Sequence, residues 1–143
     1  MTGVQTCALP IYEAFKAGAE KVTFTRAATL ADSIAVGSPR NWAKALRAVR
    51  RTDGDMLTVT DEEILSAIPE LARSTGVFGE PAGATAFAGF RKAAQSGALS
   101  SGDRVAVVVT GNGLKDISNA QKSVPPALSV APDLAELESK LGL

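Results

Sequence analysis

Residues 103–116 read DRVAVVVTGNGLKD. Residues 105–109, VAVVV, are all aliphatic and mostly β-branched, with no polar position to mark a solvent face. Such a run, closed by turn residues, reads as a strand buried on both faces, the pattern of a central strand in a parallel sheet. It stops at Thr110, after which Gly111 and Gly113 bracket Asn112. Glycine adopts positive φ freely and asparagine tolerates it, so a tight turn is predicted there. The reading places a hydroxyl at the carboxyl end of a buried strand, where open α/β sheets bind their ligands.

Upstream of that strand lies a thin segment. Glu80-Pro81 leads into Ala82, Gly83, Ala84, Ala86, Ala88 and Gly89. Pro81 suits the first turn of a helix, and side chains this small let the helix lie close to a sheet or a cofactor. Gly97 closes it. Before it, Thr60-Asp61-Glu62-Glu63 spells a capping box with acids at the positive helix end. Ile64, Leu65, Ile68, Leu71 and Ala72 continue at helical spacing to Gly76. Pro69 falls inside this helix, where it should kink the chain or cost about 3 kcal/mol. Asn41 is the expected N-cap of another helix. Its apolar stripe is Trp42, Ala45, Leu46 and Val49. Lys44, Arg47, Arg50 and Arg51 make a basic outer face, which reads as solvated because no aromatics interleave as a single-strand nucleic-acid binder requires.

Residues 13–18 read as a helix end closed by Gly18, and residues 21–25, 33–36 and 56–59 are further short β-rich runs. Residues 115–130 are irregular. Asp133 should cap a last short helix with Leu134, Leu137 and Leu141 turned inward. No internal repeat is present. The order strand–helix–strand–helix–helix–strand is an α/β layout, a parallel sheet flanked by helices.

At 143 residues the chain suits one domain, and 45% apolar with 21% charged residues is a globular composition. Lys+Arg and Asp+Glu balance at 15 each, so no field of one sign draws the chain to nucleic acid or an anionic membrane. No apolar run is long enough to span a bilayer and no signal peptide is legible, so the cytoplasm is the expected compartment. The absence of His excludes imidazole catalysis and His–metal sites, and the single Cys, Cys7, excludes an internal disulfide. No metal site is expected.

Residues 1–11, MTGVQTCALPI, show no helical or strand period. They resemble the conceptual translation of a sequencing-library adapter, so they are expected to be non-native and to make few packed contacts. A genuine N-terminal segment is the alternative. The authentic domain is then residues 12–143.

Five stretches, in order, carry a wider resemblance: TLADSIAVGSPRN (29–41), KALRAVRR (44–51), VTDEEIL (59–65), GVFGEPAGA (76–84) and TGNGLKD (110–116). Together they resemble the C-terminal part of threonine synthases, fold-type-II pyridoxal-phosphate enzymes related to the tryptophan synthase β chain. Each string is weak alone. Against tryptophan synthase, Thr110 stands where that family has Ser and Leu114 where it has an acid. Against the related dehydratases stands the combination of EPAGA with TDEEIL.

The resemblance implies an incomplete fold-type-II α/β domain, pyridoxal 5′-phosphate as cofactor, and O-phosphohomoserine as the small-molecule substrate of a homo-oligomeric parent enzyme. That enzyme is a lyase that makes threonine and phosphate from O-phosphohomoserine and water. The Schiff-base lysine and the phosphate loop are expected upstream of Tyr12, so no catalytic residue is assigned here and the chain alone is expected to be inactive. By resemblance, Thr110 sets its hydroxyl against the pyridine nitrogen, with Gly111 and Glu80 beside the cofactor. Pro39 and Asn41 belong to a loop at the substrate side of the mouth. Lys115 is not the Schiff-base lysine and is expected to pair with Asp116 or a turn carbonyl. A non-catalytic α/β fragment is the reading from a different class; the DNA upstream of Tyr12 would discriminate.

Overall fold

A computed structural model describes residues 9–143. Its helices are α1 (Leu9–Lys16), α2 (Trp42–Arg51), α3 (Asp61–Thr75), α4 (Pro81–Gln95), α5 (Ile117–Gln121) and α6 (Leu134–Leu141), with single 3-10 turns at Asp32–Ile34 and Gly113–Lys115.

The capping box forms as spelled. The Glu63 N–H donates to the Thr60 hydroxyl at 3.2 Å, and the Thr60 N–H donates to the Glu63 carboxylate at 2.7 Å. From there α3 runs through Pro69 to Gly76, left-handed at φ 75°. Its inner face is bulky, with Ile64, Ile68 and Leu71 all buried. The facing helix α4 is the thin one and buries Gly83, Ala84, Ala88, Gly89 and Ala93. Large side chains from one helix fill the space that small ones leave on the other, which is how dense packing is reached without strain. Each fully buried isoleucine contributes about 1.5–3 kcal/mol. Two ion pairs cross the outside, Arg91–Glu70 at 3.2 Å and Lys92–Glu63 at 3.1 Å. Half-exposed as they are, each adds about 0–1 kcal/mol.

A second, smaller core joins α1 to α2. Ile11 and Ala14 meet Leu46 and Met56, with Trp42, Ala45 and Val49 packed at the edge. The α2 stripe is therefore the one read from its spacing, and its arginine face is exposed or half-exposed. The expectation that residues 1–11 make few packed contacts fails at Leu9–Ile11. These residues open α1, and Pro10 and Ile11 are buried. Ile11 and Ala14 are three apart and share one face, so a helix beginning at Leu9 buries both. Residues 1–8 lie outside the described residues.

The sheet is the main departure. Among the described residues no strand forms, and the one β pairing is an isolated antiparallel bridge between Gly79 and Asn112. Residues 21–25, 56–59 and 104–110 have no ladder partner, and of 33–36 the first two lie in the first 3-10 turn and the rest form no strand. Val105 and Val108 are 46% and 67% exposed, not buried on both faces. A helix supplies its own backbone hydrogen bonds, whereas a strand takes them from a neighbour. No such neighbour lies beside residues 105–109. The last helix departs likewise. Asp133 caps α6 through the Ala135 N–H at 3.1 Å, but Leu134, Leu137 and Leu141 are exposed. A leucine stripe specifies a face, and among the described residues this one stays largely open.

Candidate functional site

The end of the valine run closes over the start of α4. The Glu80 N–H donates to the Gly111 carbonyl at 3.0 Å, and the Gly113 N–H donates to the Phe78 carbonyl at 2.9 Å. These bonds flank the Gly79–Asn112 bridge and hold the two segments in register.

Both glycines of the turn are explained by this closeness, not by the positive φ expected of them. Among the described residues the positive-φ glycines are Gly18, Gly76, Gly97 and Gly142. A Cβ on Gly111 would overlap the Glu80 carboxylate, and one on Gly113 would overlap the Phe78 ring. Gly83, one turn into α4, faces the same junction: its Cβ would stand 2.8 Å from the Gly111 carbonyl oxygen and 3.0 Å from its nitrogen. Three glycines thus let the turn lie against the Glu80 and Phe78 side chains and the backbone of α4.

Asn112 shapes the next step. Its side-chain oxygen accepts from the Leu114 N–H at 2.9 Å and opens the turn Gly113–Lys115. That turn swings Lys115 back until its Nζ lies 3.1 Å from Glu80 Oε1. Lys115 therefore pairs with Glu80 and not with Asp116 or a turn carbonyl. Glu80 is 4% exposed at the amino end of α4, whose dipole also favours a carboxylate. Asp116 is engaged elsewhere. It caps α5 through the Asn119 N–H at 3.2 Å and accepts the Asn119 side-chain amide at 2.8 Å. The Asn119 amide holds the Asp116 carboxyl below its ordinary range, against a desolvation that acts the other way, with the backbone bond assisting.

Thr110 is exposed. Together with Gly76, Val77, Phe78, Val109, Gly111 and Asn112 it lines an open concavity of about 370 Å³, within the range of roughly 300–1,000 Å³ for small-molecule sites. Glu80 does not line it; its carboxylate lies behind Gly111. The sequence-assigned trio is thus brought together, with Thr110 and Gly111 on the wall and Glu80 beneath. Pro39 and Asn41 are elsewhere. Asn41 precedes α2, where its side chain makes no capping bond, because its φ and ψ of −98° and 20° are not those of a capping residue. A further cavity of about 300 Å³ at the start of α3 is lined by Thr29, Ala35, Thr58, Thr60 and Asp61 among others, and includes neither Pro39 nor Asn41.

Sequence reading missed two ties. Asp61 accepts the Thr29 hydroxyl and, at 3.1 Å, the Leu30 N–H. Asn119 donates to the Leu30 carbonyl at 3.3 Å. Leu30 is clamped from both sides, which links the TLADS loop to α3 and α5. The partners are 31 and 89 residues apart in sequence, and no local signal marks such contacts. Among the described residues, no cluster is arranged to hold a metal ion, and no helix is long and apolar enough to cross a membrane.

The residues present fit one side of a pyridoxal-phosphate site. An aromatic ring, two valines and a neutral exposed hydroxyl line one open wall, with glycine backbone beside the hydroxyl. A model of pyridoxal-phosphate dependent enzymes matches residues 1–111, ending one residue past Thr110. Threonine synthase of Mycobacterium leprae is 43% identical over 115 residues, covering 80% of this chain and 32% of that protein. Threonine synthase of Mycobacterium tuberculosis (strain ATCC 25618 / H37Rv) is 44% identical over the same length and shares. That of Methanocaldococcus jannaschii is 37% identical over 140 residues, 96% of this chain and 35% of that protein. The chain spans about a third of the length of these curated relatives.

Proposed function

Since this chain belongs to the family of pyridoxal-phosphate dependent enzymes, we propose that it forms the pyridine-nitrogen wall of a threonine synthase. The complete enzyme converts O-phosphohomoserine and water to threonine and phosphate. The observation that carries the reading is the placement of Thr110, a neutral hydroxyl on a concave wall, held by the Glu80–Gly111 and Gly113–Phe78 bonds. When bound, the cofactor supplies the electron sink for proton removal from the substrate and expulsion of phosphate. Thr110 donates to an unprotonated ring nitrogen or accepts from a protonated one. Being uncharged, it moderates that sink and favours elimination and replacement over transamination. Gly111 presents backbone to the ring, and the Glu80 carboxylate fills the space behind it where a side chain would begin. Pro39 and Asn41 are assigned to the substrate side on the resemblance alone. In the complete, cytoplasmic and homo-oligomeric enzyme, residues 105–109 take their place as a central strand of the parallel sheet.

A complete enzyme carrying this sequence should release phosphate and form threonine in equal amounts from O-phosphohomoserine. In it, Thr110→Val keeps the size and removes the hydroxyl. An unpaired buried acceptor costs about 1–3 kcal/mol, so turnover should fall about 5- to 150-fold if the loss is felt in the transition state. Thr110→Ser should be milder. No turnover of O-phosphohomoserine, or unchanged turnover and cofactor affinity in Thr110→Val, would overturn the reading.

A further inference from the structure

We propose that Lys115 is a positioning residue for Thr110, acting through the buried carboxylate of Glu80 and the backbone of Gly111. The inference rests on the role given to Thr110 above. Its geometry does not.

The Glu80 side chain is 6% exposed and that of Lys115 is 62% exposed. This is a buried charge with one exposed partner, and removing that partner leaves the carboxylate uncompensated. The carboxylate occupies the space where a side chain on Gly111 would begin; even the Glu80 Cγ is 2.9 Å from that point. It is therefore bounded by Gly111 on one side and by the Lys115 ammonium on another. Burial does not hold Lys115 there. The Asn112-capped turn delivers it, through the Lys115 N–H to the Asn112 carbonyl at 3.0 Å and the Asp116 N–H to the Gly113 carbonyl at 3.2 Å. Without the ammonium, the carboxylate must move toward water. That motion vacates the space behind Gly111, so Gly111 and its covalent neighbour Thr110 lose their support. A misplacement of about 1 Å at a reacting group is enough for about a 100-fold loss.

The test uses the complete enzyme. Lys115→Met should lower kcat about 5- to 100-fold and by no more than Thr110→Val does, with KM for O-phosphohomoserine changed by less than about threefold, and should shift the absorption band of bound pyridoxal phosphate. In the cofactor-free protein, amide exchange should speed up at Glu80 and Gly113, whose N–H groups close the junction. Lys115→Arg should restore all three readouts. In a Thr110→Val background, Lys115→Met should add less than about threefold, because the two act through one contact. Lys115→Gln keeps a donor to the carboxylate and serves if Lys115→Met does not fold; a smaller loss of the same kind is expected. Unchanged kcat, absorption and exchange in these variants, or a full additive loss on top of Thr110→Val, would overturn the inference. A damaging Thr110→Val beside a silent Lys115→Met sinks the inference alone. A silent Thr110→Val sinks the reading beneath it.

Discussion

The α3–α4 pair and the valine run at 105–109 both carry apolar faces, yet one is a core and the other is half-buried at Val107 and Val109 and exposed elsewhere. Ile64 and Ile68 are each 1% exposed, whereas Val108 is 67% exposed. Hydrophobicity does not separate them. The difference is where the backbone hydrogen bonds come from and whether the partner face lies nearby. Helices α3 and α4 satisfy their own backbones and are adjacent in sequence, joined by residues 76–80. The valine run requires flanking strands, and residues 22–25 and 56–59 do not pair with it. A helix pair that is apolar on one face and a run that is apolar throughout therefore differ in how much of their environment the chain around them supplies.

Substitutions in the 143-residue chain can break that comparison. The largest loss is expected at Ile68→Ala, about 2–5 kcal/mol for a truncation in a packed core, measured by urea unfolding. Gly83→Ala should follow at about 1–3 kcal/mol, since its methyl meets Gly111 backbone atoms that have no rotamer to yield. A neutral or stabilising Gly83→Ala would show that α4 and the turn do not touch as described. Thr60→Ala removes half of the capping box and should cost about 0.5–2 kcal/mol.

Acid should act in the same place with a smaller effect. Burial tends to raise the Glu63 carboxyl, but the Thr60 N–H and Lys92 outweigh it and hold the group below its ordinary 4.5. A carboxyl with a depressed folded pKa stabilises above its unfolded value and loses that contribution as pH falls through the folded one. Stability should therefore decline below about pH 4.5, and Glu63→Gln should flatten the decline; a pH curve of unfolding midpoints unaltered by Glu63→Gln would rule this out. The smallest effect is expected at Val108→Thr, within about 0.5 kcal/mol as for exposed sites, together with less self-association, because an uncovered β-branched run invites pairing with another chain. A loss at Val108 as large as at Ile68 would erase the contrast.

What could be read from the chain alone was local. Thr60 and Glu63 make their box because both partners sit within four residues. Gly76 and Gly97 end their helices left-handed, as their positions foretold. The α2 stripe faces its core because period 3.6 is a property of the backbone itself. The TGNG segment is legible as a tight turn, and the resemblance groups Thr110 and Gly111 with Glu80. The reason for its glycines was not legible, since a positive φ and a tight contact both call for glycine and only neighbours tell them apart. Nor was Lys115: pairing with Glu80, 35 residues away, depends on how the Asn112 turn aims it. Leu134, Leu137 and Leu141 were read as inward for the same reason that residues 105–109 were read as a buried strand. Periodicity names the face that ought to be covered. The covering is a long-range matter, decided by which elements the chain brings alongside, and here α3 and α4 found theirs while the valine run did not. The sequence by itself determined α2, α3 and α4, the Thr60 capping box and the chemical family of the turn, but not the start of α1 at Leu9 or the short helix α5 inside residues 115–130; the tertiary structure alone decided which apolar faces are buried and which cation guards the carboxylate behind Gly111, because burial and ion pairing belong to pairs of segments and not to either one.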